Sequence, residues 1–133
     1  DGQWFFLREK DRFNAPKHFQ VWYQEAGDKW LKERVIFWEH RIGKAASNVV
    51  VSDLGFRWGS CGKNNVLYFN WRLVQLPQFL VDYVIAHELT HLHERNHTSA
   101  FWQILSRVLP DWKERKDALS HKRAEMLWRD ENG

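Results

Sequence analysis

The fold and the chemistry that we predict for this chain both follow from the residues His87-Glu88-Leu89-Thr90-His91. In a helix with about 3.6 residues per turn, two residues four apart lie on the same face, so both imidazoles can reach one ion. Glu88 lies about 100° round the helix from His87, too far to be an obvious co-ligand but well placed beside a bound water. The pattern therefore predicts a zinc site in which Glu88 is the general base.

The residues around this motif predict a central, buried helix over residues 77–95. Pro77 suits the first position of a helix, and four apolar residues recur at helical spacing after it: Val81, Ile85, Leu89 and Leu92. The alternative to a metal site is a pair of histidines that only form hydrogen bonds within the core. Buried histidines without partners are costly, so a metal explains the pair better.

A catalytic zinc site usually has three protein ligands and one open position, so a third ligand must come from outside the motif. We predict His97, which follows six residues after His91. We expect Asn96 to adopt a left-handed conformation that ends the helix and turns the chain back. Glu114, on a later helix, is the alternative ligand. His93 lies about 200° round the helix from His91, so it should point away from the metal.

The rest of the chain predicts an α+β domain, a small, partly antiparallel sheet packed against about four helices. Apolar spacing indicates a first helix over Lys17–Ile42, ended by Gly43 and kinked or split at residues 27–28. Two shorter helices follow the motif, one over residues 100–109, capped by Thr98 or Ser99, and one that begins with a capping box at Asp111 and Glu114. Three segments are typical of strands: residues 49–51, residues 56–60 and Val66–Asn70, with a turn at residues 62–65 before the last.

Length and composition indicate one domain of 133 residues without repeats. We assign residues 1–16 to the end of an N-terminal β segment, with a strand over residues 3–8, and residues 17–133 to the main domain. No run approaches the roughly 20 apolar residues of a membrane span, and no signal peptide is evident. The single cysteine, Cys61, allows no internal disulfide. We therefore expect a cytoplasmic protein without a membrane partner.

The formal net charge of +3 is spread over alternating basic and acidic residues. This mixture is typical of a solvated surface, so we do not expect a nucleic-acid partner. Nine tryptophans and nine phenylalanines make the chain rich in aromatic residues. We interpret them as core packing and not as a platform for stacked bases.

Five ordered stretches resemble the YgjP-like metal-dependent hydrolase family, over residues 17 to about 128. They are Phe-Arg-Trp-Gly-Ser-Cys at 56–61, Asn-Trp-Arg-Leu at 70–73, the motif at 87–91, Asn-His-Thr-Ser-Ala-Phe-Trp at 96–102 and Pro-Asp-Trp-Lys-Glu-Arg at 110–115. The family is similar to the minigluzincins and to the catalytic domains of membrane gluzincins. The resemblance implies a zincin-like fold, with His97 as the third ligand and Glu88 as the general base. It also implies a longer β-rich segment ahead of the first helix.

Motif and resemblance together predict a zinc-dependent hydrolase with one zinc per chain, and they favour a metallopeptidase that cleaves peptides or proteins. Some family members are named nucleoside triphosphate pyrophosphatases, so a metal-dependent pyrophosphohydrolase is the first alternative. It would need cations around the phosphates, for which Arg57, Arg72 and Lys63 are nearest in sequence. A SprT-like DNA-associated protease uses the same motif, but its four-cysteine zinc ribbon is absent here. A purely structural zinc would usually have four protein ligands. The sequence does not predict the oligomeric state.

Several other residues are candidates for the site. Arg57, Asn70 and Arg72 are possible substrate or oxyanion contacts, with surface or structural pairing as the alternative for each. Val66–Asn70 is either a core strand or an edge strand that pairs with an extended substrate through main-chain hydrogen bonds. Cys61, in a predicted turn, is more typical of a free thiol than of a ligand that blocks the zinc.

Overall fold

The structure, a computed structural model, describes the backbone of residues 17–132 and the side chains of residues 25–123. The strand predicted over residues 3–8 and the domain boundary at residue 16 lie outside the described residues. Seven helices and strands follow one another: α1 (Lys17–Ile42), β1 (Asn48–Ser52), β2 (Gly59–Cys61), β3 (Val66–Asn70), α2 (Gln78–Thr90), α3 (Ser99–Val108) and α4 (Trp112–Asn132). Two short 3₁₀ turns, Lys63–Asn65 and Trp71–Gln75, flank β3. The predicted α+β fold is confirmed.

Helix α1 runs without a break through Gly27, so the predicted split there is wrong. The presence of glycine at position 27 is explained by close packing, because a Cβ atom there would lie 2.8 Å from Val74 Cγ1. The helix needs a small residue at this point because the 3₁₀ turn after β3 packs closely against it. Gly43 ends the helix as predicted, with a φ of 81° that favours glycine.

The three strands form a mixed sheet in the order β1-β3-β2. β1 and β3 are parallel, whereas β2 and β3 are antiparallel, which agrees with the predicted partly antiparallel sheet. β3 is the central strand, so of the two alternatives for Val66–Asn70 the core strand is correct and the edge strand open to substrate is wrong. Both of its backbone edges are already paired, and β2 is left as an edge strand of the described sheet.

β2 begins three residues later than the predicted segment and ends one residue later. Residues 54–57 form a turn instead, in which the Arg57 amide donates to the Leu54 carbonyl oxygen at 3.3 Å. After β2 the chain reverses at Asn64 and Asn65, whose φ values are 58° and 60°. Asparagine tolerates this left-handed region better than most residues, and the turn lies where the sequence predicted it.

Helix α2 occupies the centre of the domain and packs against α1, β2, α3 and α4. Its Ile85 and Leu89 are fully buried, together with Leu67 and Phe69 of β3. Burial of one such side chain contributes about 1.5–3 kcal/mol, so α2 is held firmly from several sides. No helix in the described part of the chain is both long enough and apolar enough to cross a bilayer. The motif thus lies on the most strongly packed helix of the described fold.

Candidate metal centre

Helix α2 ends at Thr90, five residues before the predicted end, so the predicted helix is too long. The Thr90 hydroxyl donates to the Ala86 carbonyl oxygen at 2.7 Å, and the His91 amide donates to the Glu88 carbonyl oxygen at 3.2 Å. Such short-range bonds tighten the last turn of a helix. His91 still has right-handed backbone angles, φ −62° and ψ −18°, so it stays on the same face as His87.

The segment after α2 brings His97 back towards that face. The predicted left-handed conformation of Asn96 is wrong, because in the described chain the non-glycine residues with positive φ are Asn64 and Asn65. The chain instead brings His97 back through a run of tight turns over residues 91–93. Thr98, whose side chain caps α3, then fixes the start of the next helix. His93 points away as predicted, and its Nε2 lies 2.9 Å from the Ile42 carbonyl oxygen.

Three imidazoles meet where these segments converge. The potential ligand atoms of His87, His91 and His97 all lie within 4.8 Å of one another. The Nε2 atoms of His87 and His97 are 3.1 Å apart. A tetrahedral zinc with Zn–N bonds of about 2.0–2.1 Å separates its ligand nitrogens by about 3.3 Å. The side chains described bring no carboxylate into this cluster, and the alternative ligand Glu114 is exposed outside it. The cluster fits one metal ion.

The second nitrogen of two of these rings already has a polar neighbour. His91 Nδ1 lies 3.2 Å from the Glu94 carbonyl oxygen, and His87 Nδ1 lies 3.4 Å from the Tyr83 hydroxyl. Metal-binding histidines usually donate their other N–H in this way, which fixes the ring and leaves Nε2 for the ion. Sequence reasoning missed the role of Tyr83, although its position one helical turn before His87 was the available signal.

The surroundings of His87 and His91 favour their neutral forms. Burial, followed by the nearby His91, His97 and Lys116, lowers the pKa of His87 to about 3. Burial also lowers the pKa of His91. A histidine must be neutral to bind a metal, so both rings hold the required form at neutral pH. Burial, followed by the charge of Glu88, raises the pKa of Tyr83 to about 12, so its hydroxyl stays protonated.

Glu88 is the acidic group beside the cluster. It is only 8% exposed, and burial raises its pKa to about 7, with the charge of Arg57 acting in the opposite direction. A general base works best when its pKa lies near the operating pH. A carboxyl group with this pKa can both accept and release a proton near neutral pH.

Two cavities meet at the histidine cluster and share Gly59, His87 and Glu88. The first, of about 300 Å³, is also lined by Ser60, Cys61, Arg95 and the other two histidines. The second, of about 240 Å³, extends towards α4 and is also lined by Arg57, Trp58, Tyr83, Val84, Lys116, Leu119, Ser120 and Arg123. We call the second one the basic cavity. Together they form a cleft with β2 as one wall.

The pairing of β2 with β3 leaves part of its backbone facing away from the sheet. The Asn70 amide donates to the Trp58 carbonyl oxygen, and the Gly62 amide donates to the Val66 carbonyl oxygen, both at 2.8 Å. Hydrogen-bonded pairs alternate along antiparallel strands, so Ser60 is the next residue bonded to β3. The backbone groups of Gly59 and Cys61 therefore point outward along the edge.

The sequence matches one known protein family. The family model described as the YgjP-like metallopeptidase domain matches residues 3–122. The chain belongs to the YgjP-like family. This confirms the resemblance inferred from the sequence and makes the YgjP-like domain a hydrolase of the metallopeptidase type. A search of curated proteins finds no match.

Two solved structures share the fold of this YgjP-like domain. The metallopeptidase zymogen abylysin of Pyrococcus abyssi has a TM-score of 0.63 and 21% identity, over 69% of this chain and 93% of that one. The zymogen jannalysin of Methanocaldococcus jannaschii has a TM-score of 0.61 and 22% identity, over 73% of this chain and 96% of that one. At this level of identity the likeness supports the fold alone.

The other predicted site residues have different positions in the YgjP-like domain. Arg57 lines the basic cavity, as a substrate contact requires. Asn70 is 1% exposed, and its side-chain amide donates to the carbonyl oxygens of Gly55 and Arg57, so it holds the loop before β2. Arg72 pairs with Asp53 at 2.8 Å and lines neither cavity. Asn70 and Arg72 thus make the structural pairings that we predicted as the alternative to a substrate contact.

Cys61 lies on β2 and not in a turn, so its side chain lines the first cavity. Burial, followed by the charge of Glu88, raises the pKa of its thiol. A protonated thiol is a poor metal ligand, and Cys61 does not belong to the histidine cluster. Its environment is that of a free thiol, as the sequence predicted.

Proposed function

We propose that this YgjP-like domain is a zinc-dependent peptidase that holds one zinc ion through His87, His91 and His97. The convergence of the three imidazoles carries the proposal, since their potential ligand atoms lie within 4.8 Å of one another and the Nε2 atoms of His87 and His97 are 3.1 Å apart. Three protein ligands leave a fourth position for water or substrate, as in catalytic sites. Zinc, when bound, lowers the pKa of its water and polarises the substrate carbonyl group.

Glu88 is the general base in this proposal. Its carboxylate takes the proton of the attacking water and delivers it to the amine that leaves when the peptide bond breaks. Its burial beside the cluster and its pKa of about 7 support this role, because the group can both accept and release a proton near neutral pH. Tyr83 and the Glu94 carbonyl oxygen orient two of the imidazoles.

The edge of β2 is the proposed binding site for the peptide main chain. The outward backbone groups of Gly59 and Cys61 can add an extended peptide to the sheet, a common mode of peptide recognition. They lie along the wall of the same cleft as Glu88. This role replaces the one that the sequence suggested for Val66–Asn70.

The first test combines metal content with peptide cleavage. We expect one zinc per chain in the native protein and in Glu88→Gln, whereas only the native protein cleaves a mixture of unrelated peptides. The glutamine keeps the shape of the side chain but cannot accept the proton. Turnover retained in Glu88→Gln would exclude Glu88 as the base, and absence of metal after zinc is supplied would exclude the zinc site.

A further inference from the structure

The basic cavity carries three positive side chains from two parts of the chain. Arg57 lies in the loop before β2, whereas Lys116 and Arg123 lie on α4. Seven residues make about two turns of a helix, so Lys116 and Arg123 share one face. The residues between them on that face, Leu119 and Ser120, line the same cavity.

These positive charges are not neutralised within the described side chains. The ion pairs found there involve Lys32, Arg34, Arg72 and Arg115. Glu88 is the acidic residue in the lining of the cavity, and its role as the base leaves it unavailable as a permanent partner. Lys116 Nζ lies 5.0 Å from the centroid of the Trp102 ring, a contact that keeps the ammonium group near the cluster.

The basic cavity opens onto the reacting centre, because His87 and Glu88 line it together with Arg57, Lys116 and Arg123. A group bound in this cavity therefore lies next to the bond that is cleaved. Concentrated positive charge without an acidic partner among the side chains of residues 25–123 favours an anionic group at that point.

The size of the cavity decides what kind of anion fits. Its volume is about 240 Å³, below the roughly 300–1,000 Å³ of pockets that enclose drug-sized ligands and cofactors. That space suits one amino-acid side chain better than a nucleoside triphosphate. Val84, Leu119 and the ring of Trp58 offer apolar contact for an aliphatic stem below the charged rim.

We infer that the basic cavity selects peptides with a carboxylate group beside the scissile bond, held by Arg57, Lys116 and Arg123. This inference rests on the proposed peptidase function and names its substrate class. A glutamate side chain offers both features, an aliphatic stem for the apolar lining and a carboxylate for the three cations. The α-carboxylate of a peptide end offers the same chemistry.

The test compares matched peptides on the zinc-loaded protein. One series carries Glu or Gln at each position next to the cleaved bond, and a second ends in a free carboxylate or an amide. We expect kcat/KM to be roughly 10-fold higher for the acidic peptide, because hydrogen bonds between ions are about twice as strong as neutral ones. The preference should decrease as salt is added. A preference for Glu over Gln would show that the cavity binds an acidic side chain. A preference for the free carboxylate over the amide would show that it binds the end of a peptide chain.

Lys116→Glu provides the decisive variant, with Lys113→Glu as its matched control. Lys113 is exposed on the same helix and lines neither cavity, so the control makes the same charge change away from the cleft. We expect Lys116→Glu to remove or reverse the preference for Glu over Gln peptides in kcat/KM. Lys113→Glu should keep the native preference. Lys116→Gln repeats the test if Lys116→Glu does not fold.

The outcomes separate this inference from the peptidase proposal. Equal kcat/KM for acidic and neutral peptides on the native protein would overturn the inference and leave the peptidase intact. Cleavage of no peptide at all would overturn both. Pyrophosphate release from a nucleoside triphosphate, lost in Lys116→Glu, would also overturn the inference, since it would assign the three cations to phosphates.

Discussion

Gly59 of β2 lies so close to Glu88 of α2 that a side chain at position 59 would crowd the glutamate. A Cβ atom at position 59 would stand 3.0 Å from Glu88 Cγ and 3.2 Å from Val84 Cγ1. The φ angle of Gly59 is not positive, so the requirement is one of space and not of backbone conformation. The proposed peptide-binding strand and the proposed base are thus in direct contact.

The first prediction follows from this contact. Gly59→Ala forces β2 and α2 apart at Glu88, because Val84 and Phe69 on the same side are buried and leave little room. We expect a loss of about 1–3 kcal/mol in the free energy of unfolding, typical of overpacking. We also expect kcat/KM to fall by roughly 10-fold, since Glu88 must move by a few tenths of an ångström and a displacement of about 1 Å at a reacting group costs about 100-fold. Urea unfolding and peptide cleavage measure the two quantities.

Gly27→Ala is the matched control. A Cβ atom there would lie 2.8 Å from Val74 Cγ1, so it overpacks the domain at a place that lines neither cavity. We expect its folded fraction to retain the native kcat/KM. Similar losses of kcat/KM in both variants would show that the Gly59→Ala effect comes from general destabilisation and not from the position of Glu88.

Glu88 should make the metal-free protein less stable as the pH rises. Its pKa is about 7 in the folded protein against an ordinary value of 4.5, so the folded state binds the proton more tightly than the unfolded state. Below pH 4.5 Glu88 is protonated in both states, so its ionisation does not affect stability. Above pH 7 the free energy of unfolding is lower by about 3 kcal/mol than at low pH, since one pKa unit is about 1.4 kcal/mol.

Glu88→Gln removes this ionisation. We therefore expect the variant and the native protein to differ little near pH 4, and the variant to be more stable by about 3 kcal/mol at pH 8. Urea unfolding in the presence of a chelator, repeated from pH 4 to pH 8, measures the difference. A difference that does not change with pH would contradict the raised pKa of Glu88.

The histidine pair and its helix could be predicted because they depend on local geometry. Four residues make about one helical turn wherever a helix forms, so the spacing of His87 and His91 alone places them on one face. The long first helix and the turn before β3 follow from similar short-range patterns. His97 was predicted, but by a mechanism that the structure does not use, since Asn96 is not left-handed.

The features that the sequence did not reveal depend on pairing between distant segments. Whether Val66–Asn70 is central or at an edge is decided by β1 and β2, and its own composition suits either position. Lys116 and Arg123 reach the cleft only because α4 packs against α2. No local pattern distinguishes such residues from an ordinary solvated helix face.

A further prediction concerns the third ligand. His97→Ala should weaken zinc binding by more than the roughly 10–100-fold that follows the loss of an outer hydrogen-bond partner, because a direct ligand is removed. His93→Ala is the matched control, since His93 is four residues away and contacts the Ile42 carbonyl oxygen. Competition with a chelator measures both affinities. Unchanged zinc affinity in His97→Ala, together with a loss in Glu114→Ala, would move the third ligand to Glu114.

The last prediction concerns the support of α2 by α1. Arg34 Nε and Nη2 donate to the two carboxylate oxygens of Asp82 at 3.1 and 2.8 Å, and Asp82 is only 6% exposed. Arg34→Ala leaves this carboxylate buried without its partner, so we expect a loss of about 3 kcal/mol in the free energy of unfolding.

The pair between Lys32 and Asp28 on the same helix is the control, with side chains 49% and 38% exposed. Lys32→Ala should change the free energy of unfolding by less than about 0.5 kcal/mol, because solvent screens exposed pairs. Urea unfolding of both variants gives the comparison. Similar values for the two would mean that the buried pair does not fix α2 on α1. In that case the position of the histidine motif would depend on the apolar core alone.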